Sequence, residues 1–288
     1  MPITIASGWL IVLYLATAAL TGLLLNWHYL PTTAHAHTCV VDLQSGAAGR
    51  FLRSSHFFSS HFALGLCVLH LVSALILRPV EAEATFETRR WLSGLVGCAI
   101  LVALGFSGRV LPWDDHGGVS LLVAEGFLRL GDLSPVATIL GPEQTGHQLQ
   151  RLLLLHAGGI AALAVCGAWH IDLRDRLAAL MRASTLTRVV IISVAGVGLL
   201  AVVAALVPAP LGPPFVDGPS AHVGAEWYLR WVQTLSLRSA LAAQAVVVTI
   251  VGLGLVTPVL ARRLGERALR FVWLVVLAGL AAASFFSR

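Results

Sequence analysis

The sequence has no lysine and little charge of either sign. All 19 basic residues are arginine, and charged residues make up 11% of a chain that is 57% hydrophobic. A soluble domain of 288 residues carries far more charge, so the composition excludes that class. The net charge of +5 is spread over several loops. Because it forms no basic stripe, the sequence also excludes nucleic acid as a partner.

Cysteine is scarce as well. Cys67, Cys98 and Cys166 lie in long apolar runs, and Cys39 stands alone in a loop. No two cysteines have a paired spacing, and no CxxCH motif occurs. The sequence therefore indicates neither a cofactor attached through cysteine nor a disulfide framework.

Long apolar runs are abundant. A membrane-spanning helix needs about 20 mostly apolar residues, and seven runs meet this requirement, at 7–29, 56–77, 91–112, 152–172, 187–208, 236–258 and 269–286. The first run lacks the basic start and the cleavage site of a secretory signal, so we treat it as a true span. We predict an all-α integral membrane protein with seven transmembrane helices.

The arginines indicate the orientation of these spans. With the N-terminus inside, the loops at 78–90, 171–188 and 260–270 hold eleven of the 19 arginines. The positive-inside rule thus favours a cytoplasmic N-terminus for this multi-pass protein. The charged segment after the fourth span predicts a four-helix unit at 1–180 and a three-helix C-terminal unit at 181–288. The lysine-free, arginine- and alanine-rich composition is typical of a bacterial plasma membrane protein.

The longest connections fall on the outer side, at 30–55, 113–151 and 209–235. Within 113–151, the stretches "SLLVAEGFLRL" and "SPVATIL" have apolar residues at helical spacing but are too short to span. We expect both to lie along the membrane surface.

Four histidines recur at one interval inside the spans. His56 and His70 are fourteen residues apart on the second span, and so are His156 and His170 on the fourth. Fourteen residues is just under four helical turns, or roughly 21 Å of rise, and keeps both side chains on nearly one face. Because both spans run inward, His56 should face His156, and His70 should face His170. Two such imidazole pairs suit axial ligation of two haem irons.

Glycines repeat the same interval on the two antiparallel neighbours. Gly8 and Gly22 lie on the first span, and Gly94 and Gly108 on the third. A missing side chain at each histidine depth makes room for a flat porphyrin. A single intramembrane glycine or histidine would more simply be a helix contact. A haem-free bundle would require all of these intervals to be accidental.

Other polar groups near these histidines have weaker signals. Arg53 and Arg151 precede His56 and His156 by three and five residues, where haem propionates would emerge. Both arginines could instead be snorkelling at a helix end. His61 has no partner at the fourteen-residue spacing, and we interpret it as a polar contact.

Several motifs resemble the cytochrome b subunit of quinol:cytochrome c reductases and of the photosynthetic plastoquinol:plastocyanin reductase. These are "TGLLLNWHYLP", "RSSH" with a second histidine fourteen residues on, "GRVLPWD", "RLLLLH" with its second histidine, and "EWY". The division after the fourth span is most similar to the photosynthetic arrangement, with the four-helix and three-helix parts joined in one chain.

The resemblance implies two haem b groups, with His56 and His156 holding the outer one and His70 and His170 the inner one. It implies oxidation of membrane quinol at an outer site. One electron would pass to a Rieske iron–sulfur protein, which delivers it to a c-type cytochrome or a similar acceptor. The other would pass inward to a quinone, with proton translocation. The family works as a homodimer within a larger complex.

The outer quinol site of the family contains a Pro-Glu-Trp-Tyr motif, which reads Ala225-Glu226-Trp227-Tyr228 here. The resemblance makes Glu226 and Tyr228 the candidate catalytic residues, with Glu226 accepting a quinol proton. A carboxylate at an apolar edge should have a raised pKa. The family's polar residue after "LPWD" is replaced by Asp115 and His116.

Two functions fit these features. The first is the catalytic subunit of a quinol:cytochrome c, or similar acceptor, oxidoreductase. The second is a two-haem transmembrane electron conduit or anchor without bifurcating quinol oxidation. The retained "EWY" favours the catalytic subunit. The alanine in place of the family's proline leaves the electron conduit as an alternative.

Overall fold

The computed structural model describes residues 3–76, 88–130, 147–171, 183–216 and 224–285. Ten helices lie within these ranges: α1 (Ile3–Asn26), α2 (Ala36–Ser45), α3 (Ala47–Ile76), α4 (Thr88–Val110), α5 (Asp115–Leu130), α6 (Gln148–Ile171), α7 (Ala183–Leu206), α8 (Arg230–Arg238), α9 (Ala240–Leu264) and α10 (Glu266–Phe285).

Seven of these helices are long and apolar enough to cross a membrane: α1, α3, α4, α6, α7, α9 and α10. The predicted fold class is thereby confirmed. The predicted boundary between the two units, at 180 and 181, lies outside the described residues, as does the stretch "SPVATIL".

The second span begins earlier than its apolar run predicts. Helix α3 starts at Ala47 rather than near residue 56, so part of the predicted outer loop is helical. The extra turns carry Arg50 and Arg53, whose charges made the segment read as a loop. Both arginines donate to backbone carbonyls in the structure, Arg50 to Gln44 and Ser45 and Arg53 to residues 209 and 210. Their charge is therefore compatible with helix.

A buried aspartate, Asp114, immediately precedes helix α5. One carboxylate oxygen of Asp114 accepts from the backbone N–H of Gly117 at 2.8 Å, and the other accepts from that of Gly212 at 2.9 Å. The first bond caps the helix in the usual N-cap manner. The second ties the start of α5 to the segment that follows α7.

The first four spans pack as two pairs. Helix α1 lies closely against α3, and α4 lies closely against α6, whereas α3 and α6 pack far less closely on each other. The C-terminal helices cover the outside of both pairs. On one side, the Tyr14 hydroxyl donates to the carbonyl of Gly196 in α7 at 3.1 Å. On the other, the Trp91 indole donates to the carbonyl of Gly254 in α9 at 2.7 Å. The interval between the two pairs is where α3 and α6 present their histidines.

Candidate functional site

The structure brings the four histidines together in the two pairs that their spacing predicts. The ring centres of His56 and His156 are 6.2 Å apart, with planes inclined by 63°. Those of His70 and His170 are also 6.2 Å apart, inclined by 66°. The two pairs thus have nearly the same geometry at two depths of one bundle.

Each imidazole also has a hydroxyl partner on a neighbouring helix. In every case the contact is made by the Nδ1 atom, at 3.0 to 3.3 Å from the hydroxyl oxygen. The partners are Thr21 for His56, Ser7 for His70, Ser107 for His156 and Ser93 for His170. His56 Nδ1 additionally lies 2.9 Å from the carbonyl of Ala18.

These hydroxyls determine the histidine tautomers. The Thr21, Ser93 and Ser107 hydroxyls each donate to a carbonyl four residues earlier in their own helix. Each hydroxyl hydrogen is therefore already used in a bond to a carbonyl. The hydroxyl oxygen accepts a hydrogen bond from the imidazole Nδ1–H. A histidine that donates from Nδ1 has a bare Nε2 with a free lone pair, which is the usual state of a metal-binding histidine.

The hydroxyl residues were missed at the level of sequence, although a signal was present. Each one immediately precedes a glycine of the fourteen-residue pattern, giving Ser7-Gly8, Thr21-Gly22, Ser93-Gly94 and Ser107-Gly108. The hydroxyls therefore repeat the same interval as the glycines and histidines.

The four glycines lie directly against the four imidazoles. A Cβ atom added at Gly22 would be 2.9 Å from His56 Cε1, and one at Gly108 would be 3.0 Å from His156 Cε1. The corresponding distances are 3.2 Å from Gly94 to His170 and 3.7 Å from Gly8 to His70. The missing side chains thus make room for the rings of the histidines, and room for a porphyrin stays a prediction.

The donor set fits a haem better than a bare metal ion. Within the described ranges, no group of three or more His, Cys, Asp or Glu side chains could hold a metal ion. Imidazole binds metals at about 2 Å, so the 6.2 Å between the ring centres of each pair is of the right size for one metal held by both rings through Nε2. A porphyrin brings its own four equatorial ligands and needs only two from the protein.

The glycine contacts predict a graded response to alanine. Gly22→Ala should weaken retention of haem at the outer pair by about tenfold or more, because the new methyl group displaces His56. Gly8→Ala should have a smaller effect at the inner pair, since its methyl group makes only an ordinary contact with His70. Haem content and the visible spectrum of each purified variant measure how much haem each pair retains. Equal losses in the two variants would contradict the steric explanation.

The two arginines of the sequence prediction have different surroundings. Arg53 is buried, and its guanidinium donates to the carbonyls of Ala209 at 2.8 Å and Pro210 at 2.7 Å. Ser54 accepts from the backbone N–H of Ala209 at 2.9 Å. Arg53 therefore anchors the segment after α7. Arg151 is half-buried in the first turn of α6, and contact of either arginine with a haem propionate stays a prediction.

A second polar cluster surrounds Glu226, in the segment before α8. Its Oε1 atom lies 3.1 Å from Arg109 Nε in α4, and its Oε2 atom lies 3.5 Å from His61 Nε2 in α3. The Tyr228 hydroxyl reaches the same side of α4, where a Cβ atom at Gly105 would be 2.7 Å from it. Glu226 and Tyr228 thus lie together beside α4.

The electrostatics of this cluster correct one prediction. The hydrogen bond from His61 is the largest cause that lowers the pKa of Glu226, and the Arg109 guanidinium lowers it further, against the opposing effect of burial. The expectation of a raised pKa was therefore wrong, because the sequence does not reveal these two partners. Burial raises the pKa of the Tyr228 hydroxyl, and the nearby Glu226 carboxylate adds to that rise.

The altered first residue of the motif has its own hydrogen bond. The backbone N–H of Ala225, which a proline would lack, donates to the side-chain oxygen of Gln233 at 2.7 Å. One turn of α8 thereby holds the start of the motif. This hydrogen bond restrains the backbone at Ala225, at the position where the motif of the similar family has the fixed backbone angle of proline.

The chain is similar in sequence to several known proteins. A family model described as cytochrome b/b6/petB matches residues 2–129. Cytochrome b6 of Heliomicrobium gestii is 30% identical over 166 residues, which is 55% of this chain and 75% of that protein. The cytochrome bc complex cytochrome b subunit of Chlorobaculum thiosulfatiphilum is 26% identical over 144 residues, and the match spans 48% of this chain but 32% of that subunit.

Similarity in fold to a solved structure extends over more of the chain than the similarity in sequence. A solved chain described as hyperthermophilic respiratory Complex III matches with a TM-score of 0.73, covering 98% of this chain and 89% of that one. The sequence identity in this match is 17%, so it concerns the arrangement of the helices alone.

Proposed function

Since the chain belongs to the cytochrome b/b6 family, we propose that it binds two haem b groups and is the cytochrome b subunit of a quinol-oxidising respiratory or photosynthetic complex. The observation that carries this proposal is the pair of matched imidazole sites. Each has two histidines with ring centres 6.2 Å apart and their Nδ1 atoms already bound. Six-coordinate ligation of this kind suits electron transfer rather than oxygen binding.

The residues around the two pairs would hold and orient the ligands. The Thr21, Ser93 and Ser107 hydroxyls keep Nε2 of their histidines available, and the Ser7 hydroxyl contacts Nδ1 of His70. The adjacent glycines let the rings lie close to the helix backbones. Bound haem would supply one-electron redox chemistry.

The outer cluster would handle the quinol proton. Glu226 is ionised at neutral pH, because its pKa is lowered and the Arg109 guanidinium lies 3.1 Å from its Oε1 atom. A carboxylate in this state can accept a proton from a quinol hydroxyl. The neighbouring Tyr228 hydroxyl stays protonated, since its pKa is raised, and it can donate a hydrogen bond to a substrate oxygen.

The same proposal specifies partners and location. A Rieske iron–sulfur protein would take one electron from quinol, and a c-type cytochrome or similar acceptor would receive it. The complex would contain two copies of this chain and would lie in a bacterial plasma membrane, with the N-terminus of the chain in the cytoplasm. Membership of a multi-subunit complex is supported by the description of the Chlorobaculum relative as a subunit of a cytochrome bc complex.

Transient reduction of haem tests the proposal. The complex purified with its Rieske partner and blocked by an inner-site inhibitor should show haem reduction within one turnover of added quinol. The reason is that one of the two electrons then has no exit beyond the haems. Stopped-flow absorbance in the b-type band measures it, with the same complex lacking the Rieske protein as the control.

The alternative is an electron conduit that performs no bifurcated oxidation. The ion pair between Glu226 and Arg109 favours it, because a paired carboxylate is a weaker base. Two b-type signals without quinol-driven reduction would support the conduit and contradict quinol oxidation at this site.

A further inference from the structure

The two oxygens of Glu226 have different partners. Oε1 faces Arg109 at 3.1 Å and Oε2 faces His61 at 3.5 Å, and all three side chains are mostly buried, with exposed fractions of 14% to 24%. Arginine is always protonated in proteins, so Oε1 faces a permanent positive charge. Only Oε2 faces a group that can gain or lose a proton.

The tautomer of His61 is determined by its own helix. His61 Nδ1 lies 2.9 Å from the carbonyl of Phe57, one turn earlier. A carbonyl only accepts, so Nδ1 carries the hydrogen and donates it. The Phe57 ring packs against the imidazole, with ring centres 4.1 Å apart, and restricts its rotation. The other nitrogen, Nε2, is therefore aimed at Glu226 with a lone pair whenever His61 is neutral.

A neutral Nε2 and a carboxylate oxygen are both acceptors, so no hydrogen bond can form between them until one proton is added. This proton can reside on Nε2 or on Oε2. Because Arg109 stabilises the carboxylate from the other side, the charged arrangement of imidazolium and carboxylate is favoured over the neutral one. The three side chains thus form a site for one proton shared between Nε2 and Oε2.

We propose that His61 is the resting place of the proton that Glu226 takes from quinol, so that Glu226 and His61 act as one proton-accepting pair. The inference rests on the proposed quinol oxidation. In the step, the quinol O–H bond breaks and its proton forms an O–H bond with Glu226 Oε2. The proton then moves to His61 Nε2, and Glu226 is again an anion. The electrons leave separately to the Rieske partner and the haem.

Other charged or titratable groups face this pair from each neighbouring element. Arg109 belongs to α4, His116 to the start of α5, and Tyr228 to the segment before α8. Arg109 keeps its charge throughout, and Tyr228 stays protonated because its pKa is raised. His116 also faces Glu226, and it lowers the pKa of Glu226 less than His61 does. Replacing His61 is therefore the most direct test of which group holds the proton.

Infrared spectroscopy of the haem-loaded complex in the absence of quinol tests the pair without turnover. In the wild type, the one proton held by the pair should give an imidazolium band and no carboxylic acid band from Glu226. In His61→Gln the imidazole is replaced by an amide that carries no charge, so the coulombic effect by which His61 lowers the pKa of Glu226 is lost. The carboxylic acid band should then appear at higher pH, and it should be missing in the double variant His61→Gln/Glu226→Gln.

Quinol-driven haem reduction provides the second measurement. His61→Gln should slow it about tenfold, less than the factor of about 10²–10⁴ expected for loss of the first proton acceptor. Both b-type signals should persist, and they report on folding. His35→Gln is the matched control, because His35 contacts Thr32 in the outer loop and should leave rate and infrared titration unchanged.

Two results would overturn the inference. One is a Glu226 titration that is the same in the wild type and in His61→Gln. The other is a wild-type rate of quinol oxidation in His61→Gln. A wild-type complex that titrates as expected but oxidises no quinol would instead overturn the proposed function, and with it the quinol origin of the proton.

Discussion

Replacing His70 with leucine should remove one b-type haem signal and leave the other in place. His70 and His170 form a closed pair on opposing helices, with ring centres 6.2 Å apart. Without His70 the inner site has a single protein ligand, and haem should be lost or become five-coordinate. The outer pair, His56 and His156, keeps its own hydroxyl partners and should be unaffected. Haem content should fall by about half, as read from visible spectra and redox titration.

Matched variants separate ligand loss from general damage to the bundle. His170→Leu should remove the same signal as His70→Leu, and the double variant should lose no more than either single one. His56→Leu should remove the other signal. His61→Leu, on the same helix but outside both pairs, should retain both. Loss of both signals in His70→Leu, or of neither, would contradict the pairing.

The pairing could be predicted because helix geometry converts sequence separation into depth. The chain reverses direction between α3 and α4 and again before α6, so α3 and α6 run in the same direction. Equal intervals of fourteen residues therefore place His56 opposite His156 and His70 opposite His170. The apolar runs predicted the seven spans for a similar reason, since membrane thickness determines helix length. Both inferences depend only on local sequence and on regular helix geometry.

The hydroxyl partners of the histidines could also have been predicted from local sequence, and they show how a periodic signal can be overlooked. Ser93 and Ser107 repeat the interval of the glycines that follow them. Serine and threonine are common in membrane helices, where they bond to the carbonyl four residues earlier, so none of them draws attention alone. The structure shows that the same hydroxyl oxygen also accepts from a histidine of the neighbouring helix.

Contacts between distant parts of the chain could not be predicted. Arg53 donates to backbone carbonyls of residues 209 and 210, more than 150 positions away, in a segment that no local pattern pairs with it. Glu226 meets Arg109 and His61 for the same reason, because three elements converge there. Burial alone raises a carboxylate pKa, and the sequence-based expectation was wrong because it lacked these two neighbours.

Replacing Glu226 with glutamine should slow quinol-driven haem reduction by about 10²–10⁴-fold while both haem signals remain. The amide of glutamine preserves the size of the side chain but cannot accept the proton. It also leaves the Arg109 charge without its partner at 3.1 Å. Stopped-flow absorbance of the complex with its Rieske protein measures the rate. Asp42→Asn provides the control, because Asp42 is an exposed acid on α2 whose loss removes the same charge elsewhere.

Glu226→Asp sharpens this test, because it keeps the charge and shortens the side chain by one methylene group. Glu226 spans from Arg109 on α4 to His61 on α3, at 3.1 and 3.5 Å. An aspartate cannot maintain both contacts without movement of the backbone, which Gln233 restrains through the N–H of Ala225. Its rate should therefore lie between those of the wild type and Glu226→Gln. If charge alone mattered, Glu226→Asp would match the wild type. If Glu226 took no part in proton transfer, Glu226→Gln would match it as well, and the conduit would be the better description of the chain.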